Sequence, residues 1–122
     1  MLREKLTIDP DKSLRQSLNI MGQGGEKCLI VIGSQNQLIG TLSDGDIRRA
    51  ILEGMDLSNT IEKILNKSPA WLGENYKQED VRHLLIEKRV SLVPILDARG
   101  QVTNILTWTD IFGDRLSRGN QE

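Results

Sequence analysis

One pattern of apolar residues, ending in a hydroxyl and a carboxylate, occurs twice in this chain of 122 residues at an offset of 64 positions. The first copy ends with Ser43 and Asp46, and the same offset places Thr107 and Asp110 at the end of the second copy. Residues 7–52 align with residues 71–116 without any insertion, although few of the aligned positions are identical. An internal repeat predicts two similar structural units that pack against each other. It also predicts two equivalent half-sites for a ligand.

Each copy is predicted to contain the elements β-α-β-β-α, so the expected fold class is α/β (α+β). Apolar spacing separates the helices from the strands, and turn-forming residues divide the two strands. In the first copy these elements are an extended segment at Thr7, a helix with apolar residues Leu14, Leu18 and Met21, strands 28–32 and 37–42, and a helix from residue 43 with Ile47, Ala50 and Ile51 on one face. In the second copy they are a helix over 78–88, strands 92–96 and 101–106, and a helix from about residue 109 that includes Leu116.

The two copies divide the chain into residues 1–58 and residues 59–122, where the second unit includes a short connecting helix at Ile61, Ile64 and Leu65. A unit of about 55 residues buries too little apolar surface to be stable alone. We therefore expect the two units to share a core. The polar residues 117–122 are expected to fray.

Composition excludes several classes of function. The formal net charge is -1 and aromatic residues make up 3% of the chain, so we expect neither a nucleic-acid nor a membrane-surface partner. The longest apolar run has about five residues, against roughly 20 for a membrane span. One cysteine and one histidine predict no internal disulfide and no metal site. The chain start lacks a signal-peptide pattern, so a cytoplasmic protein is expected.

The junctions between the last strand and the last helix of each copy carry the candidate chemistry. Ser43 lies where a strand gives way to a helix, so its hydroxyl and the first free helical N–H groups can meet a phosphate. Asp46 follows one turn later and can accept hydrogen bonds from a ribose diol. Gly40 permits close approach of a ligand or of a neighbouring strand. The alternative is that Ser43 and Thr107 are helix caps and that the acids complement the helix dipole.

The pattern Gly-hydrophobic-hydrophobic-Thr/Ser-x-x-Asp at the end of a β-β-α unit resembles the CBS (cystathionine β-synthase) domain, and two in tandem resemble a Bateman module. The resemblance covers roughly residues 7–116. It implies two CBS repeats with pseudo-twofold symmetry that bind AMP, ADP, ATP or S-adenosylmethionine. It further implies that the hydroxyls approach phosphate or ribose, that the acids hold the ribose and that the opening segments and inner strands line the base. The implied ligand-binding residues are Thr7, Ile8, Lys27, Ile30, Gly40, Ser43, Asp46, Leu72, Pro94, Ile95, Thr107 and Asp110.

The sequence of residues 43–50 resembles CBS pairs fused to sugar-phosphate nucleotidyltransferases and to arabinose-phosphate isomerases. The short lead before Thr7 is similar to the nucleotidyltransferase kind. This resemblance implies a regulatory homodimer, not an enzyme, that controls a nucleotidyltransferase domain in cis or in trans. Asn104 replaces the glycine of the second motif, and Ser91 and Leu92 stand where nucleotide-binding members often have Arg or His. These departures favour the alternative of a structural dimerisation module with a degenerate cleft. A small nucleotide-acting enzyme is a third reading, but no catalytic constellation is visible.

Overall fold

The computed structural model describes residues 6–113 and shows two successive β-α-β-β-α units. The first unit contains β1 (Thr7–Ile8), α1 (Leu14–Gly24), β2 (Cys28–Ile32), β3 (Leu38–Ser43) and α2 (Asp44–Leu52). The second contains β4 (Leu72–Gly73), α3 (Gln78–Ile86), β5 (Leu92–Leu96), β6 (Val102–Thr107) and α4, which begins at residue 108 and is described to 113. The predicted α/β (α+β) class and order of elements are confirmed.

The two units form two separate three-stranded sheets with the same topology. In each sheet the short first strand is parallel to the central strand, and the central strand is antiparallel to the last one. The pairing registers are equivalent, since Cys28 pairs with Ser43 and Leu92 with Thr107. Both sheets also have a register shift near the end of the central strand. The sequence repeat is therefore a structural repeat.

Three apolar clusters form the core, and one of them joins the repeats. Leu29 and Val31 of β2 face the helices of the first repeat, while the intervening Ile30 belongs to a cluster that lies between the two sheets. This alternation follows from the pleat of a strand that is covered on both faces. The cluster between the sheets consists of Leu6, Ile30, Leu92, Leu96, Val102 and Ile105. The predicted shared core is confirmed.

Several local predictions differ from the structure. Leu18 and Ile51 were expected on buried helix faces, but they are 39% and 41% exposed. The connecting helix is a single 3₁₀ turn over Ile61–Lys63, and Asn66 soon after it is already paired with Thr41 in an isolated bridge. The helix predicted to reach residue 88 ends at Ile86. The predicted residue Leu116 and the polar tail lie outside the described residues, and the predicted division at residues 58 and 59 falls just before the 3₁₀ turn.

Polar contacts also connect the repeats at equivalent positions. Gln37 and Gln101, which are 64 positions apart, form an isolated antiparallel bridge. The Gln37 side-chain amide donates to the carbonyl of Arg99 over 3.1 Å, and the N–H of Leu38 donates to the carbonyl of Gly100 over 3.3 Å. Pairing between equivalent residues is what a pseudo-twofold axis between the repeats produces. None of the helices between residues 6 and 113 is both long and apolar enough to span a bilayer.

Candidate functional site

The first hydroxyl–acid pair forms a capping box at the start of α2. The Asp46 N–H donates to Ser43 Oγ over 3.1 Å, and the Ser43 N–H donates to Asp46 Oδ2 over 2.9 Å. The other carboxylate oxygen, Oδ1, accepts a hydrogen bond from the guanidinium of Arg49. Both residues are half-buried. The capping role that the sequence left open is therefore present, and it orients both side chains at the end of β3.

The second pair repeats this geometry with one additional bond. The Thr107 N–H donates to Asp110 Oδ2 over 2.8 Å, and the Asp110 N–H donates to Thr107 Oγ1 over 3.3 Å. The Thr107 hydroxyl also donates to Asp110 Oδ2 over 3.1 Å. Thr107 is buried, whereas Asp110 is exposed. The position equivalent to Arg49 is Gly113.

Gly40 lies close to a neighbouring segment of the chain, which is one of the two kinds of close approach predicted for it. A Cβ built at this position would lie 2.2 Å from the carbonyl oxygen of Asn66 and 2.6 Å from Leu65 Cδ1. Asn66 is held there by a pair of backbone hydrogen bonds with Thr41, at 3.0 and 2.8 Å. Asn104, its equivalent in the second repeat, uses its own side-chain oxygen to accept the N–H of Ile105 over 2.8 Å. The glycine therefore serves backbone packing in the first repeat.

The residues predicted to line the base are mostly inside the core. Ile8, Ile30 and Ile95 are 4%, 0% and 2% exposed, and Pro94 is also fully buried. Ile8, Ile30 and Ile95 belong to three different apolar clusters of the core. Thr7 and Leu72 are half-buried in the short first strands, where they pair with the central strands. The predicted residues with accessible surface are therefore Ser43, Asp46, Asp110, Thr7, Leu72 and the exposed Lys27.

A cavity of about 430 Å³ lies between the repeats at the end of the sheets where α2 and α4 begin. We call it the inter-repeat cavity, and it is lined by Gly25, Glu26, Lys27, Leu85, Arg89, Val90, Ser91, Trp108 and Thr109. The segments 25–27 and 89–91 are equivalent under the 64-residue offset, so each repeat supplies the same loop to this space. Lys27 was among the predicted ligand-binding residues, whereas Arg89 was not. The 64-residue offset could have identified Arg89, because it aligns this arginine with Gly25, the residue that ends α1.

The Asp46 carboxylate of the first junction affects the thiol of Cys28 at the start of β2. Burial, with a smaller contribution from the Asp46 carboxylate, raises the pKa of Cys28 from its usual 9.0 to about 11. A neutral thiol of this kind is a poor nucleophile at pH 7. Between residues 6 and 113 no group of three or more His, Cys, Asp or Glu side chains is placed to hold a metal ion.

Two repeats of identical topology are joined through a common core, and each contains a hydroxyl–acid capping box, so the chain is a tandem module. The family profile of the CBS domain matches residues 1–53 and 61–116, and the chain therefore belongs to the CBS domain family. The tandem pair predicted from the repeated motif is confirmed.

Comparison with known proteins places similar CBS pairs inside longer enzymes. The inosine-5'-monophosphate dehydrogenase of Methanocaldococcus jannaschii is 22% identical over 115 residues, covering 94% of this chain and 22% of the relative. Arabinose 5-phosphate isomerase GutQ of Escherichia coli K12 is 21% identical over 100 residues, covering 82% and 31%. The chain thus spans about a fifth to a third of the length of these relatives. The solved structure of CBSX2 in complex with AMP superimposes with a TM-score of 0.74 at 22% identity, covering 95% of this chain and 89% of the other.

Proposed function

We propose that this CBS pair is a regulatory module that binds an adenine nucleotide between its repeats and thereby controls an attached or partner sugar-phosphate nucleotidyltransferase. The observation that carries the proposal is the pair of equivalent capping boxes. None of their four residues lines the inter-repeat cavity, but Thr107 is followed by Trp108 and Thr109, which do. AMP is the first candidate ligand, because a structure with the same fold has been solved with AMP. ADP, ATP and S-adenosylmethionine share the adenosine part that the hydroxyl–acid pairs would recognise.

Five of the predicted ligand-binding residues have a stated role in this proposal. Asp46 and Asp110 accept hydrogen bonds from ribose hydroxyls, and Ser43 and Thr107 direct their oxygens toward the ribose or phosphate. Lys27 supplies a cation in the inter-repeat cavity. Asp46 must release Arg49 to use both carboxylate oxygens, and an exposed ion pair of this kind contributes only about 0–1 kcal/mol. Ligand binding can therefore displace that pair at small free-energy cost.

Regulation requires that the ligand contacts the two repeats differently in two arrangements of the module. Only a difference in affinity between those arrangements can shift their equilibrium. The inter-repeat cavity meets this requirement in principle, because its walls come from both repeats. A small rotation of one repeat against the other would change how Lys27 and Thr109 face a bound nucleotide.

The partner enzyme is proposed from the enzymes to which similar CBS pairs are attached. Residues 43–50 resemble those of CBS pairs attached to enzymes of sugar phosphates, and a sugar-phosphate nucleotidyltransferase is our first candidate. An arabinose-phosphate isomerase is the second, because GutQ is among the similar proteins.

A homodimer is proposed from apolar side chains that the helices leave exposed. These residues are Leu18, Ile51, Leu52 and Ile86.

A structural dimerisation module is the competing function. It is favoured by the use of Ser43 and Asp46 in capping and by the burial of Ile30 and Pro94. Under that alternative the same helices would dimerise, but the cavity would bind no nucleotide.

A thermal-shift titration with AMP, ADP, ATP and S-adenosylmethionine separates the two functions. A ligand at a hundredfold excess over its dissociation constant stabilises the folded state by about 2.7 kcal/mol, which is several degrees for a domain of this size. We expect a saturable shift that is lost in the Asp46→Ala/Asp110→Ala variant. Because that variant also removes the acid half of two capping boxes, Gln16→Ala is the matched control. Gln16 accepts the Ser13 N–H at the start of α1 as Asp46 accepts the Ser43 N–H at the start of α2. Absence of a shift with all four ligands would favour the dimerisation module.

A further inference from the structure

We propose that Asn104 and Gln78 close the outer edge of the second repeat, so that the linker of this chain, or of a second copy, docks only on a first repeat. The linker is defined as residues 55–66, which follow α2. The inference identifies two residues that determine which of two equivalent surfaces accepts an extended segment. It does not depend on the proposed nucleotide binding.

The first observation is that the linker packs on the first repeat as an additional edge segment. Asn66 exchanges two backbone hydrogen bonds with Thr41 of β3, at 3.0 and 2.8 Å. The N–H of Ile61 donates to the carbonyl of Lys12 over 2.9 Å. Ile61 and Leu65 are buried in the core of the first repeat. The linker thus combines backbone pairing with apolar burial, which is how a sheet edge binds an extended segment.

The second observation is that the second repeat has the same edge without such a partner. Apart from its pairing with β5, the strand over residues 102–107 forms no ladder or bridge with any segment between residues 6 and 113. Ile105 is equivalent to Thr41, and the two residues lie opposite equivalent positions of the central strands. Because an unpaired edge can pair with another chain, the linker of a second copy could be exchanged onto this edge.

The third observation is that Asn104 blocks this edge in two ways. A Cβ at the equivalent Gly40 would lie 2.2 Å from the carbonyl oxygen of Asn66, so a residue with a Cβ leaves no space for the linker. Asn104 has that Cβ, and its Oδ1 accepts the N–H of Ile105 over 2.8 Å. In the first repeat the equivalent N–H, that of Thr41, donates to Asn66. The edge donor of the second repeat is therefore already satisfied within its own strand.

The fourth observation is that Gln78 makes the adjoining surface polar. Its equivalent, Leu14, is 0% exposed and belongs to the same apolar cluster as Ile61 and Leu65 of the linker. The N–H of Leu14 also donates to the carbonyl of Asn59 over 2.9 Å. Gln78 is exposed at the start of α3. A linker packed over it would bury the side-chain amide, which is unfavourable unless the amide gains new hydrogen bonds.

The test measures the affinity of a labelled synthetic peptide of residues 55–68 by fluorescence anisotropy. In Asn104→Gly/Gln78→Leu the second repeat has the residue types of the first. We expect this variant to bind the peptide at least about tenfold more tightly than the wild type, because two backbone hydrogen bonds and an apolar contact become available. Asn104→Ala/Gln78→Leu is the matched control, since it removes the hydrogen bond to Ile105 but keeps the Cβ. It should bind the peptide as weakly as the wild type.

The backbone amide signal of Ile105 in NMR spectra locates the bound peptide. We expect this signal to shift on peptide addition in Asn104→Gly/Gln78→Leu and to stay unchanged in the wild type. A shift in the wild type would overturn the closed edge, and this measurement does not require that the glycine variant folds. Equal peptide affinities of the glycine variant and the wild type would also overturn the proposal. Tight binding by Asn104→Ala/Gln78→Leu would overturn the blocking role of the Asn104 Cβ.

Discussion

Substitution of Gly40 by alanine is expected to destabilise the protein strongly, although it adds only one methyl group. The added Cβ would lie 2.2 Å from the Asn66 carbonyl oxygen, and a backbone atom at that distance must move. Moving Asn66 breaks its two hydrogen bonds with Thr41, each of which contributes about 1 kcal/mol. It also shifts Leu65, which is 7% exposed in the core of the first repeat, and partial loss of its burial adds about 1–2 kcal/mol. The total is about 3–4 kcal/mol.

Urea denaturation followed by tryptophan fluorescence measures this loss, because Trp71 lies close in sequence to the displaced segment. Asn104→Ala is the matched control at the equivalent position of the second repeat. There the substitution removes one side-chain hydrogen bond to Ile105, and we expect a loss of at most about 1 kcal/mol. If Gly40→Ala unfolds within about 0.5 kcal/mol of the wild type, the packing role assigned to this glycine is wrong.

Three further substitutions test other parts of the structure. Ser43→Ala should lower the free energy of unfolding by about 1 kcal/mol through loss of the α2 cap, and an unchanged urea midpoint would contradict that role. Ile30→Ala should lower it by about 2–5 kcal/mol in a single transition, since Ile30 belongs to the core shared by both repeats; two separated transitions would show that the repeats unfold independently. Because the folded state raises the pKa of Cys28 to about 11, the unfolded chain releases this proton first as the pH rises above 9. Stability should therefore fall more steeply between pH 9 and 11 in the wild type than in Cys28→Ala, and equal slopes in urea titrations would refute the shift.

The fold could be predicted from the sequence because each repeat carries its own local signals. Apolar runs gave the central strands, and hydroxyl and acidic residues marked the helix starts. The exposure of Leu18 could not be predicted, because helical spacing identifies an apolar face without saying how much of it a partner covers. Ile30 is buried because the second sheet covers it, and the sequence of β2 does not specify where that sheet lies.

The candidate site was predicted only where a motif repeats. Ser43, Asp46, Thr107 and Asp110 stand at the expected junctions, since local capping rules determine their geometry. The inter-repeat cavity depends on how two distant loops meet, and no local pattern specifies that meeting. Its ligand-binding residues therefore remain predictions that binding experiments must test.

Equilibrium dialysis of the wild-type chain against labelled AMP tests the central claim most directly. We predict saturable binding that weakens at least tenfold in Asp46→Ala/Asp110→Ala and persists in the capping-box control Gln16→Ala. Absence of saturable binding at millimolar AMP, with the wild-type protein folded, would contradict the claim that these repeats form an AMP-binding module.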